Sequence, residues 1–138
     1  MVQTEIIRGK ITHFPSQENR TNDGVELVFS GRVRLREGEK KIIALEYEYN
    51  EGMAEKELQT VAEETVQRFP IHDLFCRHRV GRIPVGETSI HVAIWSKHRK
   101  EALEAMTWFI SELKQRVPIW KWAILVDGSK HSVESLRH

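Results

Sequence analysis

From Arg99 to Val117, apolar side chains return at every third or fourth position: Ala102, Leu103, Met106, Phe109, Ile110, Leu113 and Val117. Only an α-helix gathers that spacing onto one side. A long one-sided helix must lie on an apolar surface, so the rest of the chain has to supply one. Strand-like runs are the source. Val25–Arg34 alternates, with Val25, Leu27, Phe29, Gly31 and Val33 on one face and Glu26, Val28, Ser30, Arg32 and Arg34 on the other. After the mobile turn Arg36–Lys40, Lys41–Tyr49 returns with Ile43, Leu45, Tyr47 and Tyr49 facing in and Glu46 and Glu48 facing out. The two runs predict a hairpin.

Thr4–Ile7 reads as a short first strand, and the polar, turn-rich Phe14–Gly24 as a loop. Met53–Phe69 predicts a second helix that buries Leu58, Val61, Ala62, Thr65, Val66 and Phe69 and stops at Pro70. Leu74–Val80 and Ser89–Ser96 predict strands joined through Gly81 and a turn at Pro84–Gly86. Pro118 ends the long helix, and Ile119–Val126 reads as a last strand before the Asp127-Gly128 turn. The order β-β-α-β-β-α-β predicts an α+β fold with a mixed, mainly antiparallel sheet and two main helices. At 138 residues, with no repeat or linker, the expectation is one domain over 1–138.

Composition narrows the class. Hydrophobic residues make up 40% and charged ones 30%, as in ordinary globular chains. No apolar run reaches the roughly 20 residues of a membrane helix, and the N-terminal MVQTEIIRGK lacks the apolar stretch of a secretory signal. The default expectation is a cytoplasmic protein without membrane association. Lys and Arg (21) nearly cancel Asp and Glu (20), so bulk charge gives no reason to expect nucleic acid as a partner. The single cysteine, Cys76, excludes an internal disulfide, a CxxC pair and a thiolate-rich zinc site. If the protein handles sulfur, no second thiol can resolve a persulfide, and the sulfur should arrive on another molecule. The histidines show no HxH or HExxH spacing, and no phosphate-binding glycine loop is present. No metal and no resident cofactor are expected.

Three basic groups remain as candidates for chemistry. Arg32 and Arg34 share the polar face of their strand; a hairpin places Arg32 near Glu46 and leaves Arg34 by the loop. Arg34 is the better candidate for binding an anion, because a guanidinium fork suits phosphate. Lys97-His98-Arg99-Lys100 opens the long helix, where cations disfavour the helix alone unless an anion sits among the exposed amides. The alternative is a solvated first turn screened by Glu101 and Glu104. Lys114 near the helix end is by itself an ordinary dipole partner. Lys121 lies between Trp120 and Trp122; packed aromatics can lower a lysine pKa by desolvation, and a lysine so placed could act as acid, base or nucleophile. Cys76 lies in a strand-like run and reads as core.

These residues also carry a resemblance. Gly31-Arg32-Val33-Arg34, Leu45-Glu46-Tyr47-Glu48-Tyr49 with Met53-Ala54, His78-Arg79-Val80-Gly81, Pro84-Val85-Gly86-Glu87, Ser96-Lys97-His98-Arg99 and Lys114-Gln115-Arg116-Val117-Pro118-Ile119-Trp120-Lys121 resemble, in order and spacing, the molybdopterin synthase large-subunit family. The match runs from about residue 24 to residue 121. The resemblance implies an α/β hammerhead fold and a homodimer carrying a small ubiquitin-like subunit at each end. That small subunit ends in a Gly-Gly thiocarboxylate, whose sulfur converts cyclic pyranopterin monophosphate into the molybdopterin dithiolene. By position, Arg34, His98 and Arg99 would bind substrate, Lys114 and Lys121 would be the catalytic lysines, and Arg137 is the candidate for the family's C-terminal arginine. A diverged, non-catalytic paralogue that binds a pterin, an anion or the small subunit is the alternative.

His98 and Lys114 are 16 positions apart on one helix, which is about 24 Å of rise. One pterin cannot touch both within a subunit. If both serve one site, that site lies at a dimer interface, with His98 and Arg99 from one protomer and Lys114 and Lys121 from the other.

Overall fold

Phe69 and Val117 each precede a proline and take extended ψ values of 143° and 123°, closing the two helices where the chain predicts. The computed structural model describes residues 1–15 and 17–133; Arg137 lies outside them. Among these residues the elements run β1 (Val2–Ile7), β2 (Val25–Arg32), β3 (Arg36–Glu37), β4 (Lys40–Tyr49), α1 (Met53–Arg68), β5 (Asp73–Arg79), β6 (Gly81–Pro84), β7 (Thr88–Ser96), α2 (Arg99–Arg116), β8 (Ile119–Leu125) and β9 (Lys130–Ser132). The fold is α+β, with two sheets in place of the single sheet expected.

The first sheet has the order β1-β5-β7-β2. β1 runs parallel to β5, whereas β5–β7 and β7–β2 are antiparallel. α1 and α2 cover one face. Ala54, Leu58, Val61 and Ala62 of α1 and Ala102, Ala105, Met106, Phe109 and Leu113 of α2 meet Leu74, Cys76, Val92 and Ile94 from the sheet. Leu103, read as part of the buried stripe, is 53% exposed, because it lies a full 100° step around the helix from Ala102. The opposite face of the sheet presents Phe75, Ala93 and Trp95. There the segment between β1 and β2 lies across it, with His13 stacked on His91 at 4.3 Å and Arg20 over the Trp95 ring at 4.1 Å. Both faces of β7 are therefore covered, and every residue of the strand after Thr88 is buried, the polar Ser89, His91 and Ser96 included.

The second sheet has the order β3-β4-β8-β9, with β6 also paired to β4. The expected hairpin between Val25–Arg34 and Lys41–Tyr49 does not form. β2 pairs with β7 along its length, its register shifts at Gly31/Arg32, and the chain then leaves the first sheet. The tight hairpin is β3–β4, turning through Gly38 at φ 58°. Arg32 accordingly bonds the Gly86 carbonyl at 3.2 Å rather than Glu46, whose partners are Lys130 and Arg82. A register shift between Ile42 and Ala44 buries Ile42 (1% exposed) and turns Ile43 outward (47%), so the alternation is right only from Leu45 onward. Gly81, at φ 88°, makes the sharp exit from β5 in one sheet to β6 in the other. No helix among the described residues is long and apolar enough to cross a membrane.

Candidate active site

Where the two sheets meet the end of α2, the molecule has a cleft of about 620 Å³. Each wall comes from a different part of the chain. Gly31 and Arg32 reach it from β2, Arg34 and Glu37 from the crossing into the second sheet, Tyr47 from β4 and His78 from the end of β5. Lys114 comes from the last turn of α2, and Trp120, Lys121 and Trp122 from β8. Pro118 sets this up: it ends the helix, and only Val117 and Pro118 separate α2 from β8, so both lysines line the same space.

Arg34, Lys114 and Lys121 are thus brought together. The Arg34 side chain is 71% exposed, and its nearest acid is Glu37 at 4.0 Å, not the empty loop the sequence suggested. Glu37 is almost wholly buried in the cleft wall. Lys114 is exposed and Lys121 half-buried. Lys121 is the cross-strand neighbour of Tyr47, and its Nζ lies 5.8 Å from the centre of the Tyr47 ring. An ammonium over a ring face is attracted by the ring quadrupole. Among the described residues the cleft sets Arg32, Arg34, Lys114 and Lys121 against Glu37, a balance that suits an anion.

His98 and Arg99 lie elsewhere. They open α2, and with Lys97, Lys100, Gly24 and Val25 they line a separate, shallow hollow of about 550 Å³. The two cavities share no lining residue. His98 is the N-cap position with extended backbone, yet makes no side-chain cap bond. All four basic residues are exposed, and among the described residues no ion pair joins them to Glu101 or Glu104. Gly24 fits this corner closely, since a Cβ there would lie 2.5 Å from the Lys97 carbonyl oxygen.

Cys76 is fully buried, and burial pushes its thiol up well beyond the ordinary range, so it stays protonated in the core. No group of three or more His, Cys, Asp or Glu among the described residues is arranged to hold a metal ion.

His78 also lines the cleft, although nothing in its spacing singles it out for chemistry. It is 5% exposed, and burial, with a smaller push from Lys121, lowers its pKa to about 4 against the opposing pull of the Arg79 carbonyl. Tyr47, read from the alternation only as core, is likewise part of the site. The sequence marks them differently: His78 stands between Arg77 and Arg79, whereas Tyr47 stands between Glu46 and Glu48.

A family model described as MoaE protein matches residues 6–116. The molybdopterin synthase catalytic subunit of Pyrococcus abyssi is 39% identical over 118 residues, covering 86% of this chain and 79% of that protein. The chain spans only 53–56% of the length of the mammalian catalytic subunits it matches. Among solved structures, molybdopterin synthase from Staphylococcus aureus superposes with a TM-score of 0.79 at 33% identity, covering 91% of this chain and 93% of that one. A chain from the complex of subunits 1 and 2 of the molybdopterin-converting factor of Helicobacter pylori shares the fold, with a TM-score of 0.74 at 22% identity and coverage of 98% and 92%.

Proposed function

Because the chain belongs to the MoaE family of molybdopterin synthase catalytic subunits, we propose that the cleft at the end of α2 is its sulfur-transfer site. The sulfur comes from the thiocarboxylated C-terminus of a small ubiquitin-like subunit and passes to cyclic pyranopterin monophosphate, in the cytoplasm. The observation that carries this reading is the convergence of Lys114 and Lys121 on one cleft with Arg34.

Both reactants are anionic, one through a thiocarboxylate and the other through a phosphate. Two ammonium groups and a guanidinium, fixed beforehand on a helix end, a strand and a strand exit, offset the charge that builds up as sulfur adds. Arg34 takes the phosphate, for which its planar fork is suited. Lys114 and Lys121 face the reacting atoms as acid, base or charge-stabilising groups. The buried, protonated Cys76 takes no part, consistent with sulfur delivered from outside the chain.

His98 and Arg99 enter through a second copy. α2 is regular from Arg99 to Arg116, so its two ends stay about 24 Å apart. In a homodimer, the hollow at the start of α2 in one protomer supplies the anion contacts that complete the lysine cleft of its partner.

The test mixes the chain with a thiocarboxylated small subunit and the cyclic phosphate precursor and measures molybdopterin formed. Product is expected, and Lys114→Ala or Lys121→Ala should reduce it by at least about 100-fold while the dimer persists on gel filtration. No product from a folded dimer would instead mark a non-catalytic binding protein.

A further inference from the structure

His78 stands at the seam between the sheets. β5 carries it in the first sheet, but its neighbour across the seam is Tyr47 of the second, with the rings edge-on at 5.5 Å and 69°. The same Tyr47 ring lies beside the Lys121 ammonium. His78, Tyr47 and Lys121 thus form one contiguous stretch of the cleft wall.

The tautomer of His78 follows from its backbone partner. Nδ1 lies 2.9 Å from the carbonyl oxygen of Arg79. A carbonyl only accepts, so Nδ1 carries the proton and donates it. In the neutral ring Nε2 is then an acceptor. The carbonyl is itself held in place. The Arg79 guanidinium bonds Glu87 at 2.8 Å, and the next amide, Val80 N, bonds the Ile7 carbonyl at 2.9 Å. Burial keeps the ring neutral through the physiological range. A neutral imidazole in the same wall as Lys121 adds no competing charge, and its Nε2 presents a lone pair.

We infer that His78 is a positioning residue of the transfer site: its tautomer is locked by the Arg79 carbonyl, and its Nε2 lone pair steers the Lys121 ammonium against the Tyr47 ring. The inference rests on reading the cleft as the sulfur-transfer site, and its role resembles the outer partners that orient ligands and catalytic groups elsewhere.

Two variants separate the acceptor from the ring. His78→Phe keeps an aromatic side chain against Tyr47 and removes Nε2. His78→Gln removes the ring and restores a distal acceptor. Two readouts apply to each: steady-state kcat and KM with the small subunit and precursor, and the titration of the Lys121 ammonium followed without substrate by NMR of ¹³Cε-labelled lysine, assigned with Lys121→Arg. In His78→Phe, kcat should fall by about 10- to 100-fold with KM changed less than about threefold, and the Lys121 titration should move. His78→Gln should recover most of kcat and the wild-type titration. A folded His78→Phe with wild-type kcat and an unmoved Lys121 titration overturns the inference, as does a folded His78→Gln that is no better than His78→Phe. Where His78→Phe does not fold, His78→Met, apolar and adaptable, takes its place with the same expected losses. The NMR readout also separates the two readings. A chain that makes no molybdopterin, yet whose Lys121 titration responds to His78→Phe, refutes the proposed function and leaves the positioning role standing. An active chain with an unresponsive Lys121 does the reverse.

Discussion

Two buried imidazoles tie stability to pH in a definite direction. An unfolded histidine takes up a proton near pH 6.5, whereas His78 in the fold does so only at about 4, chiefly through burial. Burial, helped by His13 and Arg77, lowers His91 as well. Between the two values the unfolded chain binds more protons, so stability is full above about pH 6.5 and falls as pH drops toward 4. For His78 alone the loss at the low end is about 3 kcal/mol. Asp23 and Asp73 have pKa values held below 3.8; burial works against this, but their hydrogen bonds from Arg20 and, respectively, His72 and the N-terminal ammonium outweigh it. Their losses therefore begin only at lower pH. Urea denaturation at pH 7 and pH 4.5 should show wild type losing more stability than His78→Gln over that interval. Cys76 gives a second check. Its thiol should resist a disulfide reagent in the native protein and react in denaturant, and Cys76→Ala should leave molybdopterin formation within about twofold of wild type; a larger loss from a variant of unchanged stability would overturn a purely structural role for the thiol.

The two helices were legible because their signal is local. The period over Arg99–Val117 and the prolines after each helix suffice to place them, with Leu103 the one misassigned member of the stripe. α2 also holds the core together. Phe109 is fully buried among α1 and the first sheet, and Phe109→Ala should cost about 3–5 kcal/mol, measured by chemical denaturation. The sheets were less legible, because pairing is decided by partners far along the chain. Alternation in Val25–Arg34 is real, but nothing within it says that β7 rather than β4 lies alongside. The register shift at Ile42/Ala44 moves one isoleucine in and the next out. The strand Gly81–Pro84 was read as part of a connection, since four residues carry too little pattern. Gly24 offers a test confined to one corner. Gly24→Ala drives a methyl into the Lys97 backbone, so it should weaken substrate binding through His98 and Arg99, raising KM several-fold, while the Lys121 titration stays as in wild type. A shifted Lys121 would show that the two ends of α2 are not independent.

Arg34, Lys114 and Lys121 were each identifiable by residue type and position, yet nothing local showed that they share a wall, and His78 escaped notice because its importance comes from the seam between two sheets. The separation of His98 and Arg99 from the lysines, by contrast, could be computed from helix rise before any fold was known. It leads to a test of the assembly. Lys121→Ala and Arg99→Ala should each be inactive alone. If protomers exchange freely in an equal mixture, half of the dimers pair one of each and every such dimer has one intact site in two. About a quarter of wild-type activity should then return. A mixture that stays inactive, with exchange confirmed by mass spectrometry, would place all five residues in separate or single-protomer sites.

On the proposed assignment α2 carries a working group at either end, and such a rod behaves as a ruler. Because α2 bears His98 and Arg99 at its start and Lys114 in its last turn, adding or removing one residue anywhere between them swings everything downstream by about 100° and displaces it by about 1.5 Å. Lys114 would turn out of the cleft, and in the proposed homodimer the spacing between the two cavities would no longer match that of the partner. A one-residue insertion in α2 should therefore abolish molybdopterin formation, whereas Thr107→Ala on its exposed side should leave it within about twofold of wild type. The β3–β4 turn at Gly38, by contrast, lies outside α2, and a change of length there leaves the ruler as it is.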